Sequence, residues 1–206
     1  MNIYEDYCLP FLIDLACSAP VISKHRQVIV PQAKGRVLEV GMGPGINLQH
    51  YKPQNIEFVW GLEPSHGMRR RAQKNLHNSP VEVKWLDLPG EEIPLESNSV
   101  DTIVLTYTLC SIPDWQRALE QMRRVLKPGG QLLFSEHGAA PDHAVHKWQN
   151  RINPIWKPIA GGCHLNRPIQ TLLQQSGFEI KQLTTEYMGG LPKFVGFNYS
   201  GLAKTR

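Results

Sequence analysis

Val37-Leu38-Glu39-Val40-Gly41-Met42-Gly43-Pro44-Gly45 is the stretch best suited to chemistry. An apolar run ends in three glycines at alternating positions. Glycine permits φ > 0 and lets a ligand approach the backbone closely. Open α/β sheets bind ligands at such turns, beyond the carboxyl ends of parallel strands. A second β-rich run, Ile56–Leu62, leads into Glu63-Pro64, and Glu63 stands 22 positions after Gly41. An acid at the end of a second strand can accept hydrogen bonds from both hydroxyls of a ribose. Together these features imply a nucleoside-bearing cofactor. The spacing is GxGxG, not the GxGxxG of dinucleotide sites, and Asn47-Leu48 follow in place of the third glycine. No Gly-Lys-Ser/Thr follows either, which excludes a P-loop.

Cysteine and histidine are the other reactive types. Cys8, Cys17, Cys110 and Cys163 are scattered with no CxxC pair, so neither a zinc ribbon nor a disulfide scaffold is signalled. His143 and His146 lie three apart, with no third ligand at a fixed spacing, and read as the polar face of a helix. No metal is expected. Cys8 and Cys17 read as small buried apolar residues. Cys163 adjoins His164, and only the fold could bring Cys110 near it.

The elements that must position these groups alternate between strand and helix from about residue 36 to 177. Strand-like runs are 36–40, 56–62, 81–86, 100–106 and 131–135. Helical runs are 65–77 and 114–127, the latter with Asp114 as cap and Pro128-Gly129-Gly130 as stop. The expected architecture is α/β: a single Rossmann-like sheet of about seven strands, parallel with a reversed C-terminal hairpin strand, helices on both faces. Residues 179–185 and 194–203 supply the final strand pair, after a helix over 168–176. The chain reads as one domain, 1–206. Residues 1–34 form a helical cap across the top, and 139–163 a helical insertion over one sheet edge.

The 206 residues, 41% hydrophobic and 19% charged, are globular in composition, which argues against a largely disordered chain. The +4 net charge is mildly basic. The one tight cluster, Arg69-Arg70-Arg71, reads as a solvated helix face, and no nucleic-acid partner is expected. Leu9–Cys17 is interrupted by Asp14 and too short to span a bilayer, and no basic n-region precedes it. A cytoplasmic protein is expected, with peripheral membrane contact left open.

The GxGxG turn with Glu39 just before it resembles motif I of the class I S-adenosylmethionine (SAM) methyltransferases. Three more stretches carry the resemblance. Asp101–Thr106 is similar to that family's fourth strand, and Arg123-Arg-Val-Leu-Lys-Pro-Gly-Gly130 to its helix-to-fifth-strand junction. Gly90-Glu91-Glu92-Ile93-Pro94 resembles the loop whose backbone and polar side chains hold adenine. The sequence departs from the family at Pro89, where an Asp or Ser is frequent. Adenine is then expected on the Gly90 amide and apolar contacts, with Asp87 as the other candidate for its amine. Leu109-Cys110-Ser111-Ile112, Glu136-His137 and Gly161–Arg167 further resemble small thiol S-methyltransferases and their bacterial relatives.

The resemblance implies SAM as cofactor, S-adenosylhomocysteine (SAH) as product, and a small, fairly apolar methyl acceptor, possibly a thiol. A phospholipid amine, a quinone-type carbon or a metalloid are the alternatives. A dinucleotide oxidoreductase and a silent SAM-binding protein are the rivals from other classes. It implies that Gly41, Gly43 and Gly45 wrap the methionine half, that Glu39 holds its ammonium side, and that Glu63 fixes the ribose. Pro64, Met68, Gly90 and Glu91 then bound the adenine, and Thr106 and Tyr107 sit near the methionine. His137 and His164 are the candidate bases. Tyr107, Leu109, His137, Trp148, Trp156 and His164 are expected to face the acceptor.

Overall fold

The computed structural model describes Tyr4 and residues 8–206. Residues 1–3 and 5–7 of the expected cap lie outside them. A seven-stranded sheet runs in the order β3-β2-β1-β4-β5-β7-β6. Its strands are β1 (Gly35–Val40), β2 (Ile56–Leu62), β3 (Val83–Leu86), β4 (Val100–Thr106), β5 (Leu126–His137), β6 (Phe178–Tyr187) and β7 (Phe197–Thr205). The first five are parallel, and β7 runs antiparallel to both β5 and β6. The expected architecture therefore stands. The strand order reverses between β1 and β4, which opens a crevice at their carboxyl ends. Val40 is level with Leu62 on one side and Leu105 on the other. The residues that follow each strand thus meet at one edge of the sheet.

Alternation along the strands divides the core. Leu38, Val40, Ile103, Leu105, Leu132 and Phe134 face α4 (Trp115–Val125) and α6 (Ile169–Gln175). Val37, Val59, Val104 and Leu133 face the opposite layer, with Ile29, Leu48 and Tyr51. Both faces are buried, as continuous apolar strands require.

Local chemistry sets the helix ends. The Asp114 carboxylate accepts the Arg117 amide at 3.0 Å and caps α4. That helix stops at Val125, two residues earlier than the sequence suggests, and β5 begins at Leu126, well before Gln131. Pro128 disfavours helix at Lys127, and Leu126 pairs with Val100 instead. The N-terminal cap is two helices, α1 (Leu9–Cys17) and α2 (Pro20–Ile29). Pro20 at the first turn of α2 holds Ala19 extended and divides them.

The arginine cluster is a solvated face only at Arg70, which is exposed. On α3 (His66–His77), Arg71 donates to Asp14 of α1, and Arg69 pairs with Asp87 and with the Glu63 carbonyl. The insertion forms α5 (His143–Ile159). It is pinned by buried Gln149, which accepts the Ala140 amide and donates to the Gly138 and Phe194 carbonyls. Among the described residues, no helix is long and apolar enough to cross a membrane.

Candidate active site

A cavity of about 660 Å³ opens over the carboxyl ends of the parallel strands, a size suited to a small-molecule ligand. Side chains of α1 and α2 roof it. Of the residues singled out in the sequence, Gly41, Gly43, Glu63, Pro64, Met68, Gly90, Glu91, Thr106, Tyr107 and His137 line it.

The glycine turn sets one wall. Gly41 has φ +67, and a Cβ there would fall 2.2 Å from the Thr108 side chain. Gly43 has φ +57, and its Cβ would meet nothing nearer than 4.0 Å. Gly41 is thus required by packing, whereas Gly43 presents bare backbone to the cavity. The Gly43 amide donates to Glu63 Oε2 at 2.9 Å, and the Ser65 amide to Glu63 Oε1 at 2.8 Å. A carboxylate has about four acceptor sites, so two remain for a ligand. Burial raises the Glu63 pKa, against the two amides and the Arg69 charge. Pro64, Met68, Pro89, Gly90 and Ile112 form an apolar slot beyond it. Glu91 lines that slot while its carboxylate accepts the Asp114 amide. Asp87 is engaged with Arg69.

Arg26 of α2 stands at the other end of the glycine turn. It is buried, and its Nη1 donates to Thr106 Oγ1 at 2.6 Å and Asn47 Oδ1 at 2.8 Å. Its Nε is buried without a partner. A guanidinium nitrogen so placed suits an acceptor such as an anionic oxygen, and the Arg26 charge also opposes the rise that burial gives the Cys17 pKa. The same charge lies 5.1 Å from the centre of the Tyr107 ring. Tyr107 adopts φ 54, a left-handed conformation that costs a non-glycine residue about 1–2 kcal/mol. Its amide donates to the Ser135 carbonyl and its hydroxyl to Asn198, which hold it there.

Glu39 does not line the cavity. Its carboxylate accepts Tyr51 Oη at 2.7 Å and Asn47 Nδ2 at 3.0 Å. Burial pushes its pKa up to about 7, against those two bonds and the Arg26 charge. Asn47 also donates to Thr106 Oγ1, so Glu39 reaches the ligand wall only through Asn47. Gly45 likewise lies behind the wall, with φ +74 at the start of a short 3-10 turn.

The far end of the cavity gathers Cys110, His137, Trp156, Cys163 and Leu165. His137 ends β5, Cys110 follows β4, and Cys163 follows α5. The Glu136 carboxylate accepts the Thr108 and Leu109 amides, which shapes the turn leading to Cys110. Burial pushes Glu136 up to about 7 despite those bonds. The His164 amide donates to the Cys110 carbonyl at 2.9 Å and draws the Cys163 loop against that turn. His137 Nε2 then lies 3.1 Å from Cys163 Sγ, and Trp156 Nε1 donates to that sulfur at 3.3 Å. The Cys110 thiol hydrogen-bonded to Cys163 lowers the Cys163 pKa against burial, helped by His137 and Trp156. Burial would lower His137, but the adjacent sulfur more than reverses this.

His164 does not line the cavity; its ring is turned toward Asn153. Trp148 is 58% exposed on α5, and Leu109 is buried in the core. Arg26 and Asn47 escaped the sequence reading. Asn47, two residues past the glycines, carried the available signal.

A family model described as a methyltransferase domain matches residues 38–134. The thiol S-methyltransferase TMT1B of Homo sapiens is 35% identical over 157 residues, 73% of this chain and 64% of that protein. The phosphatidylethanolamine N-methyltransferase of Cereibacter sphaeroides is 28% identical over 172 residues, 79% of each. A SAM-dependent methyltransferase from Methanosarcina mazei superposes with a TM-score of 0.65 at 21% identity, covering 90% of this chain and 97% of that one. The chain carries a methyltransferase domain, and its fold is that of SAM-dependent methyltransferases.

The cavity of this methyltransferase fits SAM. The free acceptor sites of Glu63 suit two ribose hydroxyls, and the Pro64–Met68–Ile112 slot suits adenine. The orphaned Arg26 Nε suits the methionine carboxylate, and Gly43 leaves room for the chain between. When bound, SAM supplies a methyl group made electrophilic by its sulfonium charge. The matched stretch spans just under two thirds of the human thiol S-methyltransferase.

Proposed function

We propose that this methyltransferase moves the methyl group of SAM to the sulfur of a small, apolar thiol, with Glu39 supporting the cofactor wall through Asn47. One observation carries the reading: around the group Cys110, His137 and Cys163 the cavity is walled mainly by apolar side chains. Leu9, Ile13, Trp156, Leu165 and Val195 wall it. A phospholipid ammonium or a sugar would leave its charge or hydroxyls unpaired against such walls. The named activity of the human relative supports the same class.

Methyl transfer is an in-line displacement, so the protein aligns the nucleophile and excludes water. The roof of α1 and α2 serves the second purpose. A free thiol has a pKa near 8.5 and is only a few per cent thiolate at neutral pH. The entering thiol sheds its proton at the His137–Cys163 end, which opens to the cavity, and His137 is one of the polar side chains it meets there. His164 serves the site through its backbone amide. SAH release measured with an alkyl thiol, a phosphatidylethanolamine and a quinol tests this reading. Turnover with the thiol alone supports it, and turnover with the amine or quinol alone overturns it.

A further inference from the structure

Cys110 Sγ, His137 Nε2 and Cys163 Sγ all lie within 4.8 Å of one another. We propose that these three atoms bind a thiophilic divalent cation of the zinc class, with its fourth position open to the cavity for the acceptor thiolate. The acceptor half of this statement rests on the thiol reading; the ion-binding half does not.

Geometry supports the site. Zinc takes sulfur at about 2.3 Å and imidazole nitrogen at about 2.0–2.1 Å, in a tetrahedron. Such ligands stand about 3.5–3.8 Å from each other. The three atoms are close to that spacing already, with His137 and Cys163 at 3.1 Å. Two sulfurs and an imidazole select zinc-class ions over magnesium or calcium, which require oxygen. Three protein ligands with one open position is the arrangement of catalytic zinc sites, and all three residues line the cavity here.

The surroundings support the ligands. Trp156 Nε1 donates to Cys163 Sγ. The His164 amide holds the Cys110 carbonyl, and Arg167 donates to the Leu109 carbonyl. Glu136 fixes the turn before Cys110 through two amides. Outer contacts of this kind orient ligating side chains. They come from three segments of the chain that meet at this point.

The chemistry balances without an oxidant or reductant. The acceptor thiol releases its proton to solvent, and its sulfur replaces water on the ion. A lone pair of that sulfur forms the new C–S bond. The old bond from the methyl group breaks, and its electron pair stays on the sulfur of SAH. The neutral thioether, a poorer ligand than a thiolate, then leaves the ion. His137 in this arrangement holds the ion and takes no proton.

The test uses the full chain, reduced to four free thiols, stripped of metal with a chelator and titrated with Co(II). We expect one equivalent to bind, with sulfur-to-cobalt charge-transfer and tetrahedral ligand-field bands that zinc abolishes. Cys110→Ser and Cys163→Ser should lose the bands, whereas Cys8→Ser, altering an exposed thiol outside the cluster, should keep them. Absence of the bands in the reduced wild-type chain, or their survival in a Cys110→Ser/Cys163→Ser double variant, overturns the site. A second measurement avoids folding artefacts: zinc should protect Cys110 and Cys163 of the wild-type chain from alkylation, and equal alkylation with and without zinc overturns the site. Adding an alkyl thiol to the cobalt form should strengthen the charge-transfer band. An unchanged band overturns the acceptor half and leaves the ion site standing.

Discussion

The backbone amide of Gly43 donates to Glu63 Oε2 across 2.9 Å, joining the turn after β1 to the acid after β2. One carboxylate thereby orders the glycine turn and keeps acceptor sites for the ligand. The GxGxG spacing and the acid 22 positions on are two halves of one contact.

Glu63→Gln keeps the shape but removes the charge and turns an NH2 group toward one backbone donor. Charge-assisted bonds are worth about 1.5–3 kcal/mol each in net terms. SAH affinity by calorimetry should fall about 10–100-fold. Unchanged affinity in a folded variant would remove the ribose assignment.

Arg26→Leu tests the carboxylate end. Affinity for SAH should fall by a similar factor of about 10–100. Affinity for 5′-methylthioadenosine, which has no amino-acid portion, should change little. Equal losses for both ligands would show that the substitution damages the cavity generally.

Glu39 makes stability depend on pH. Its folded pKa of about 7 lies above the ordinary value of 4.5 because burial disfavours its charge. Tyr51 and Asn47 donate to it, and the Arg26 and Glu63 charges face it with opposite effects. Between those two pH values the folded chain keeps a proton that the unfolded chain has released. Its contribution therefore declines as pH rises from 4.5 toward 7, by roughly 3 kcal/mol over the window. Denaturant midpoints of Glu39→Gln should fall less steeply across that window than those of the wild type. Identical slopes would contradict the burial argument.

The two histidines should separate. His137→Gln should lower kcat/KM by about 10-fold or more at neutral pH, with SAH affinity near normal. His164→Gln should stay close to wild type, since its contribution to the site is a backbone amide. Trp156→Ala should raise KM for the acceptor, and Trp148→Ala should not. The reverse ranking in either pair would move the acceptor end of the cavity.

Much of the fold was legible because its signals are local. Continuous β-branched runs such as Val100–Thr106, the Asp114 cap and the Pro-Gly-Gly stop each act within a few residues. This wall of the cavity was legible for the same reason, since Gly41, Gly43 and Glu63 follow directly from two strands. What the sequence hid depends on distant parts meeting. Arg26 lies in a helix that reads only as a cap, and its partners Asn47 and Thr106 are 21 and 80 residues away. The approach of Cys110, His137 and Cys163 has no spacing of its own, because a strand end and two separate loops deliver them. Glu39 read as a ligand because it precedes the glycines. It points inward because Tyr51 and Asn47 satisfy it there. Arg71 read as solvated because Asp14 lies 57 residues before it.

The most direct measurement is the fate of a labelled methyl group. SAM carrying a 13C-methyl should be incubated with the protein and an alkyl thiol, and the product followed by NMR. The account predicts an S–CH3 thioether resonance growing in step with SAH. SAH that accumulates without labelled thioether, or no transfer to any thiol while a phosphatidylethanolamine amine is methylated, would contradict it.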